Sequence, residues 1–366
     1  MTVNAQLLER VKAQLVLSNS ELTEVEISQA LRSCGALESG NDLLLLAKQI
    51  KSLLVGYGPL EEIMKSKDIT DVLIHSDGRV FIDSTSGLTF AGKFFTDATS
   101  VRKYAQRLAM QAGRRLDDAH PWVDAKLSDG NRLHALLPPI AVGGAQISIR
   151  VPCRNPFTLS ELLERNCLTQ KAADDLMAIV SSQESFLIIG GTGAGKTSLL
   201  ASLLSIVDSN QRLVVIEEHS ELQINHPHLV QLEAKPSSAE GVGAIGLPEL
   251  VRQTLRMRPD RIIIGEIRGV EILDLLIAIN TGHSGSAATL HANSPEEVIN
   301  RVQALGFLAG ADPKLTKEWL LQGIAKIVEI KRIDQHRFVS AIAMANRDLG
   351  KYEIINQYQP SKLRVA

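Results

Sequence analysis

Residues 186–204 read FLIIGGTGAGKTSLLASLL. The first four residues form a short apolar run, as in a strand buried on both faces. The pattern G-x-x-x-x-G-K-[S/T] follows, met by Gly190, Gly195, Lys196 and Thr197. Beyond it, Leu199, Leu200, Leu203 and Leu204 recur at helical spacing, which predicts a helix over Thr197–Val207. Strand, glycine loop and helix in that order make a phosphate-binding loop. Glycines at 190, 191, 193 and 195 let backbone N–H groups wrap an anion, and the helix N-terminus adds positive potential. Nucleotide contacts are therefore expected from Gly190, Gly191, Thr192, Gly193, Ala194, Gly195, Lys196, Thr197 and Ser198. Lys196 is expected to reach the β- and γ-phosphates of ATP, and Thr197 to ligate Mg²⁺. A chance glycine-rich turn is the alternative, and the flanking strand and helix count against it.

From about residue 159, further apolar strands alternate with helices: LVVIEE, a helix from Pro248, RIIIGEI, a helix from Val270, and SAATLH. Such alternation predicts a parallel sheet covered on both faces. Upstream the texture differs. VLIH, RVFID and LTFAGKFF are short strands, Ser100–Gly113 is an amphipathic helix, and strands return at Asn131–Leu137 and Ala145–Val151. The first 55 residues are helical in pattern, with starts at Ser20/Thr23/Glu24 and at Asn41-Asp42. The expected fold is α/β, with a C-terminal phosphate-loop domain (159–366), a linker (152–158), an N-terminal α+β domain (56–151) and a helical segment (1–55). That segment is either a solvated hairpin packed on the next domain or a partner-binding arm.

The 366 residues carry a formal charge of −2, so no overall basic excess points to nucleic acid. Cys34, Cys153 and Cys167 form no CxxC pair, which argues against a zinc site or a disulfide framework and suits a reducing cytosol. No signal peptide is expected. The uncharged stretch Leu133–Ile149 is broken by Pro138, Pro139, Gly143 and Gly144, so it reads as two strands and a turn, not a membrane span.

Hydrolysis needs a carboxylate that orients water and helps manage Mg²⁺. Glu266 near the end of RIIIGEI, and Glu217-Glu218 at the end of LVVIEE, stand at the carboxyl ends of strands, where ligands bind in open α/β sheets. A salt bridge to Arg268 is the structural alternative for Glu266. Either acid of the second pair could serve Mg²⁺. His283 and His291 are candidates for phosphate contact. His219, His226 and His228 read as surface or interface residues.

Four motifs in order over 185–293 resemble the secretion ATPase superfamily of type II secretion, type IV pili and type IV secretion. They are GGTGAGKT, VVIEEHSEL, LRMRPDRIIIGEIRG and NTGHSGSAATLHANS. Upstream, GYGPLEEIM, GRRLDD, PWVDAKLSDGNRLHALLPP and ISIRV resemble the Tad/CpaF branch, which powers Flp-type pilus assembly. The chain departs from that pattern in IEE at 216–218, where IED is usual, and in Lys126, where arginine is common. It also lacks the four-cysteine module of the type II secretion branch.

The resemblance implies a RecA-like ATPase domain and a homo-hexameric ring, with ATP at the cleft between the two domains. Glu266 would position water, Glu217 and Glu218 would support Mg²⁺ and the water, with Glu218 as the metal-side acid, and His283 and His291 would stand near the γ-phosphate. Arg132 and Arg150 fall where the superfamily carries arginines that reach nucleotide phosphates. The partners would be inner-membrane platform proteins. The location would be cytoplasmic, peripheral at the inner face of the cell membrane, and no nucleic acid is expected. A DNA-translocating ATPase of conjugation and a nucleotide-gated scaffold are the alternatives.

Overall fold

Three helices open the chain in the computed structural model, which describes residues 5–18, 22–35, 40–66, 68–84, 87–152, 156–235, 243–334 and 336–359. They are α1 (Ala5–Ser18), α2 (Glu24–Ser33) and α3 (Gly40–Val55). Thr23 caps α2: its hydroxyl accepts from the Glu26 N–H, and the Glu26 carboxylate accepts from the Thr23 N–H. Ser20, the other expected start, lies outside the described residues. Helix α3 begins at Gly40, one residue ahead of the expected cap. Val11, Leu15, Ile27, Leu31, Leu43, Leu46 and Ile50 make a small core of their own.

A 3₁₀ turn (Gly58–Leu60) and a short α4 (Glu61–Met64) lead into a six-stranded antiparallel sheet. Its strands are β1 (Ile69–Ile74), β2 (Arg79–Ser84), β3 (Thr89–Lys93), β4 (Trp122–Lys126), β5 (Arg132–Leu136) and β6 (Gln146–Arg150), in the order β3-β2-β1-β6-β5-β4. Helix α5 (Ala98–Gln111) starts two residues before the expected Ser100 because Asp97 accepts from the Ser100 N–H at 2.8 Å. Val101, Tyr104 and Leu108 of α5 join Val72, Leu133 and Ile149 in one core. Arg107 and Gln111 donate to the carbonyls of Gly56 and Leu54, tying α5 to the end of α3. Strand β4 lies outside the expected strands; it alternates buried and exposed residues at the sheet edge, with the charged Asp124 and Lys126 among the exposed ones. These elements form one compact unit, Met1–Pro152.

The second unit is Cys153–Ala366. Of the expected linker, residues 153–155 lie outside the described residues. The unit contains α6 (Leu159–Glu164), α7 (Gln170–Ser181), β7 (Phe186–Ile189), α8 (Lys196–Leu204), β8 (Leu213–Glu217), β9 (Leu229–Glu233) and α9 (Leu247–Thr254). Then come β10 (Arg261–Ile267), α10 (Glu271–Asn280), β11 (Ala287–Leu290), α11 (Pro295–Leu308), α12 (Pro313–Gly323), β12 (Lys326–Ile333), β13 (His336–Asn346) and β14 (Lys351–Gln357). The strand order is β14-β13-β12-β7-β11-β10-β8-β9. The strands from β12 to β9 are parallel, and β13 and β14 add an antiparallel edge. Two cores cover the two faces: Ile188, Leu200, Val215 and Ile263 look one way, while Leu187, Ile216, Ile264 and Leu276 look the other.

Strand β7, which feeds the glycine loop, lies between β11 and β12. The acid-bearing β10 is one strand further, so the end of β11 separates glycine loop from acid. Among the described residues no helix is long and apolar enough to cross a membrane.

Candidate functional site

The site is built from strand ends. Leaving β7, the chain turns at Gly190, where a Cβ would lie 2.3 Å from the Ile330 carbonyl oxygen of β12; no side chain fits there. Gly195 takes φ +99° as the N-cap of α8 and offers no side-chain cap. The first N–H groups of α8 are thus left for a ligand, as an anion site requires. Behind them Leu199, Leu200, Leu203 and Leu204 are buried and fix the helix.

Lys196 is 7% exposed. Its Nζ donates to the carbonyls of Gly190 (3.0 Å) and Gly191 (3.1 Å) and lies 3.3 Å from His291 Nδ1. Burial holds this ammonium below its ordinary pKa, with Glu266 acting against the shift. A buried cation on neutral carbonyls gains by turning to an anion. With the uncapped helix, this is what a nucleotide phosphate would find. Thr197 and Ser198 follow in the first turn, half-buried.

His291, just past β11, links the two halves of the site. Its Nε2 is 2.6 Å from Glu266 Oε1. Burial and the Lys196 charge hold the imidazole below its ordinary pKa, against the pull of Glu266. Nε2 faces the Glu266 carboxylate and Nδ1 the Lys196 ammonium, so a neutral ring protonated on Nε2 would satisfy both partners. The second oxygen of Glu266 meets Arg268 Nη2 at 2.5 Å, and Arg268 Nη1 reaches Glu218 at 3.1 Å. Glu271, only 4% exposed, accepts from the Arg268 and Gly269 N–H groups at 2.7 and 2.8 Å, which fixes the turn that carries Arg268.

Local backbone aims Glu266. Ile264 pairs with Ala288 and Ile267 with Leu290, so β10 holds one more residue than β11 over that span. Such an extra residue bends a strand and re-aims a side chain. Glu217 is placed otherwise. It is 5% exposed, and its Oε1 accepts from the N–H groups of Glu221 (3.1 Å) and Leu222 (2.9 Å). Burial pushes its carboxyl up to about 7, against those two hydrogen bonds.

Lys196, His291, Glu266, Arg268 and Glu218 thus form one connected chain of contacts. His283 turns its Nδ1 to the Ala278 carbonyl at the end of α10, at 3.0 Å. Arg132 and Arg150 stand in the N-terminal unit as directly paired residues of β5 and β6, and Arg132 reaches Asp124 at 3.5 Å. One expectation is corrected. His226 is not a surface residue: it is buried, with Nε2 on the Asp208 carbonyl and Nδ1 receiving the His228 N–H. Its loop folds back on the end of α8, which sequence spacing did not show.

Sequence reasoning missed two arginines of the β12–β13 hairpin, Arg332 and Arg337, that flank the glycine loop. Arg337 Nε donates to the Gly193 carbonyl at 2.8 Å. Their only signal was a basic strand pair of unknown register.

Residues 54–344 match the family model described as type II/IV secretion system protein. A putative conjugal transfer protein of Mycobacterium tuberculosis (strain H37Rv) is 40% identical over 328 residues, 88% of this chain and 93% of the relative. Conjugal transfer protein TrbB of Rhizobium radiobacter is 30% identical over 279 residues, 75% of this chain and 83% of its own. The fold is similar to the X-ray structure of the Legionella pneumophila ATPase DotB, with a TM-score of 0.57 at 21% identity over 79% of this chain and 80% of that one. The phosphate-loop unit is accordingly an α/β domain of the RecA-like kind.

Proposed function

The chain belongs to the type II/IV secretion system protein family, and from that premise we propose that it is a Mg²⁺-dependent ATPase. The observation that carries this reading is the chain of contacts from Lys196 through His291 to Glu266, which joins a phosphate loop to an acid. The loop from Gly190 to Ser198 would hold the nucleotide. Among the described residues no group of three or more His, Cys, Asp or Glu could hold a metal alone. That suits Mg²⁺, which keeps waters and phosphate oxygens and takes few protein ligands; Thr197 and Glu218 would supply them. Bound Mg²⁺ would neutralise charge on the phosphates.

Within this site Lys196 leaves the Gly190 and Gly191 carbonyls for the phosphates. His291 then keeps its N–H on Glu266, holding one carboxylate oxygen in place. Arg268 holds the other, and the carboxylate positions the attacking water and takes its proton.

The work driven is that of a ring motor. Six copies would act with membrane platform proteins at the inner face of the cell membrane, powering a Tad/Flp-type pilus or a related secretion machine. The upstream motifs from GYGPLEEIM to ISIRV support the Tad/CpaF assignment. A second reading, a motor of conjugal DNA transfer, is favoured by the two relatives that carry that name. Phosphate release by the full chain tests the ATPase reading: turnover should need Mg²⁺ and vanish in Lys196→Ala, and equal turnover in that variant would overturn it. Stimulation by duplex DNA that fades steeply with salt favours the conjugal reading; its absence favours the pilus motor.

A further inference from the structure

The β12–β13 hairpin does more than extend the sheet. Strand β12 runs parallel to β7, with Glu329 level with Ile189. Where β7 gives way to the glycine loop, β12 continues, so its last residues run beside that loop. Arg332 of β12 and Arg337 of β13 are direct partners in the antiparallel ladder. Directly paired residues project from the same face of a ribbon. Here that face carries the glycine loop. Arg337 Nε donates to the Gly193 carbonyl at 2.8 Å, and its Cδ stands 3.4 Å from the place a Cβ on Gly195 would occupy. Arg332 Nη1 stands 3.4 Å from the corresponding place on Gly193. Arg332 Nε also donates to the Asp334 carbonyl at 3.0 Å, which anchors the tip of the hairpin.

Two guanidinium groups are thus brought side by side at a loop whose N–H groups wrap phosphate. Directly opposed like charges weaken a ladder. A guanidinium matches a phosphate with a two-pronged fork, and such charged bonds are about twice as strong as neutral ones. The Gly193 carbonyl that Arg337 bonds is a neutral acceptor, and a charged phosphate oxygen is a stronger one.

We propose that Arg332 and Arg337 form a second phosphate-binding element, which closes on the polyphosphate of the bound nucleotide from the β12–β13 hairpin of the same chain. This rests on the reading that the loop from Gly190 to Ser198 holds a nucleotide. Its role is affinity for the polyphosphate, distinct from the positioning of water by Glu266.

Titration calorimetry of MgADP into the full chain tests it, with Lys196→Ala as the control for the loop. Arg337→Ala and Arg332→Ala should each weaken binding about tenfold, and the double variant more than either, with a Kd that responds less to salt. Arg337→Lys should recover part of the loss, because it keeps the charge without the fork. It also keeps the test open if an alanine variant folds poorly. An unchanged Kd in folded hairpin variants, with binding lost in Lys196→Ala, overturns the hairpin proposal alone. Equal loss in Arg337→Ala and Arg337→Lys at unaltered salt dependence also overturns it, leaving Arg337 as a brace for Gly193. A wild-type chain that takes up no MgADP overturns the phosphate-loop reading, and the hairpin proposal with it.

Discussion

Strands β8 and β10 are neighbours, run the same way and end in acids at the same edge of the sheet, yet they use those acids oppositely. Ile216 of β8 is level with Ile264 of β10. Continuing that register puts Glu217 level with Gly265, and Glu218 level with Glu266. Successive residues of a strand face opposite sides. Glu217 therefore projects to one side, where it is buried against the N–H groups of Glu221 and Leu222. Glu218 and Glu266 project to the other side, where Arg268 bridges them. An acid at a strand end is thus either a brace for its own following loop or a member of the site, and the pleat selects which.

The largest test of that contrast is turnover. Glu266→Gln should lower kcat by about 10²- to 10⁴-fold while nucleotide affinity stays, the range expected for a lost general base. Glu217→Gln should leave kcat within a few-fold. Equal losses, read by single-turnover phosphate release, would break the comparison.

Next in size is the response of stability to pH. In the fold Glu217 keeps its proton up to about pH 7, against an ordinary value of 4.5. The folded state therefore binds more protons than the unfolded state between those values. Stability contributed by this group is complete below about pH 4.5 and falls as pH rises to about 7, by at most about 3 kcal/mol. In Glu217→Gln that fall should be absent. Parallel Tm–pH curves for the variant and the wild type, from pH 5 to pH 8, would show that Glu217 is not held protonated.

The smallest effect sharpens the pairing within the acidic box. Glu218→Gln should raise the Mg²⁺ concentration for half-maximal activity about tenfold, whereas Glu217→Gln should not shift it. The opposite assignment in a Mg²⁺ titration would place the metal-side acid on the buried face.

Much of this was legible in the residues, and the parts that were not share a cause. The phosphate loop is contiguous, so its glycines, lysine and threonine could be read from spacing alone. The leucines of α8 were legible because a helix repeats every 3.6 residues and buries one face. Strand β4, with Asp124 and Lys126 pointing outward, hid among turn residues. The β12–β13 hairpin escaped because nothing local to Arg332 or Arg337 says that their ribbon will lie against Gly193. His226 looked like a surface histidine because its partner, the Asp208 carbonyl, is eighteen residues away and belongs to backbone.

By itself the sequence determined that a glycine loop of the phosphate-loop pattern joins a strand to a helix in an α/β domain, and which acids stand at strand ends. Those are consequences of local periodicity and of groups adjacent in the chain. The tertiary structure alone decided which of those groups meet. The one-residue offset between β10 and β11 aims Glu266, the end of β11 places His291 between it and Lys196, and the pleat sends Glu217 inward and Glu218 outward. Register between strands distant in sequence set each of these, and a shift of one residue would reverse the face.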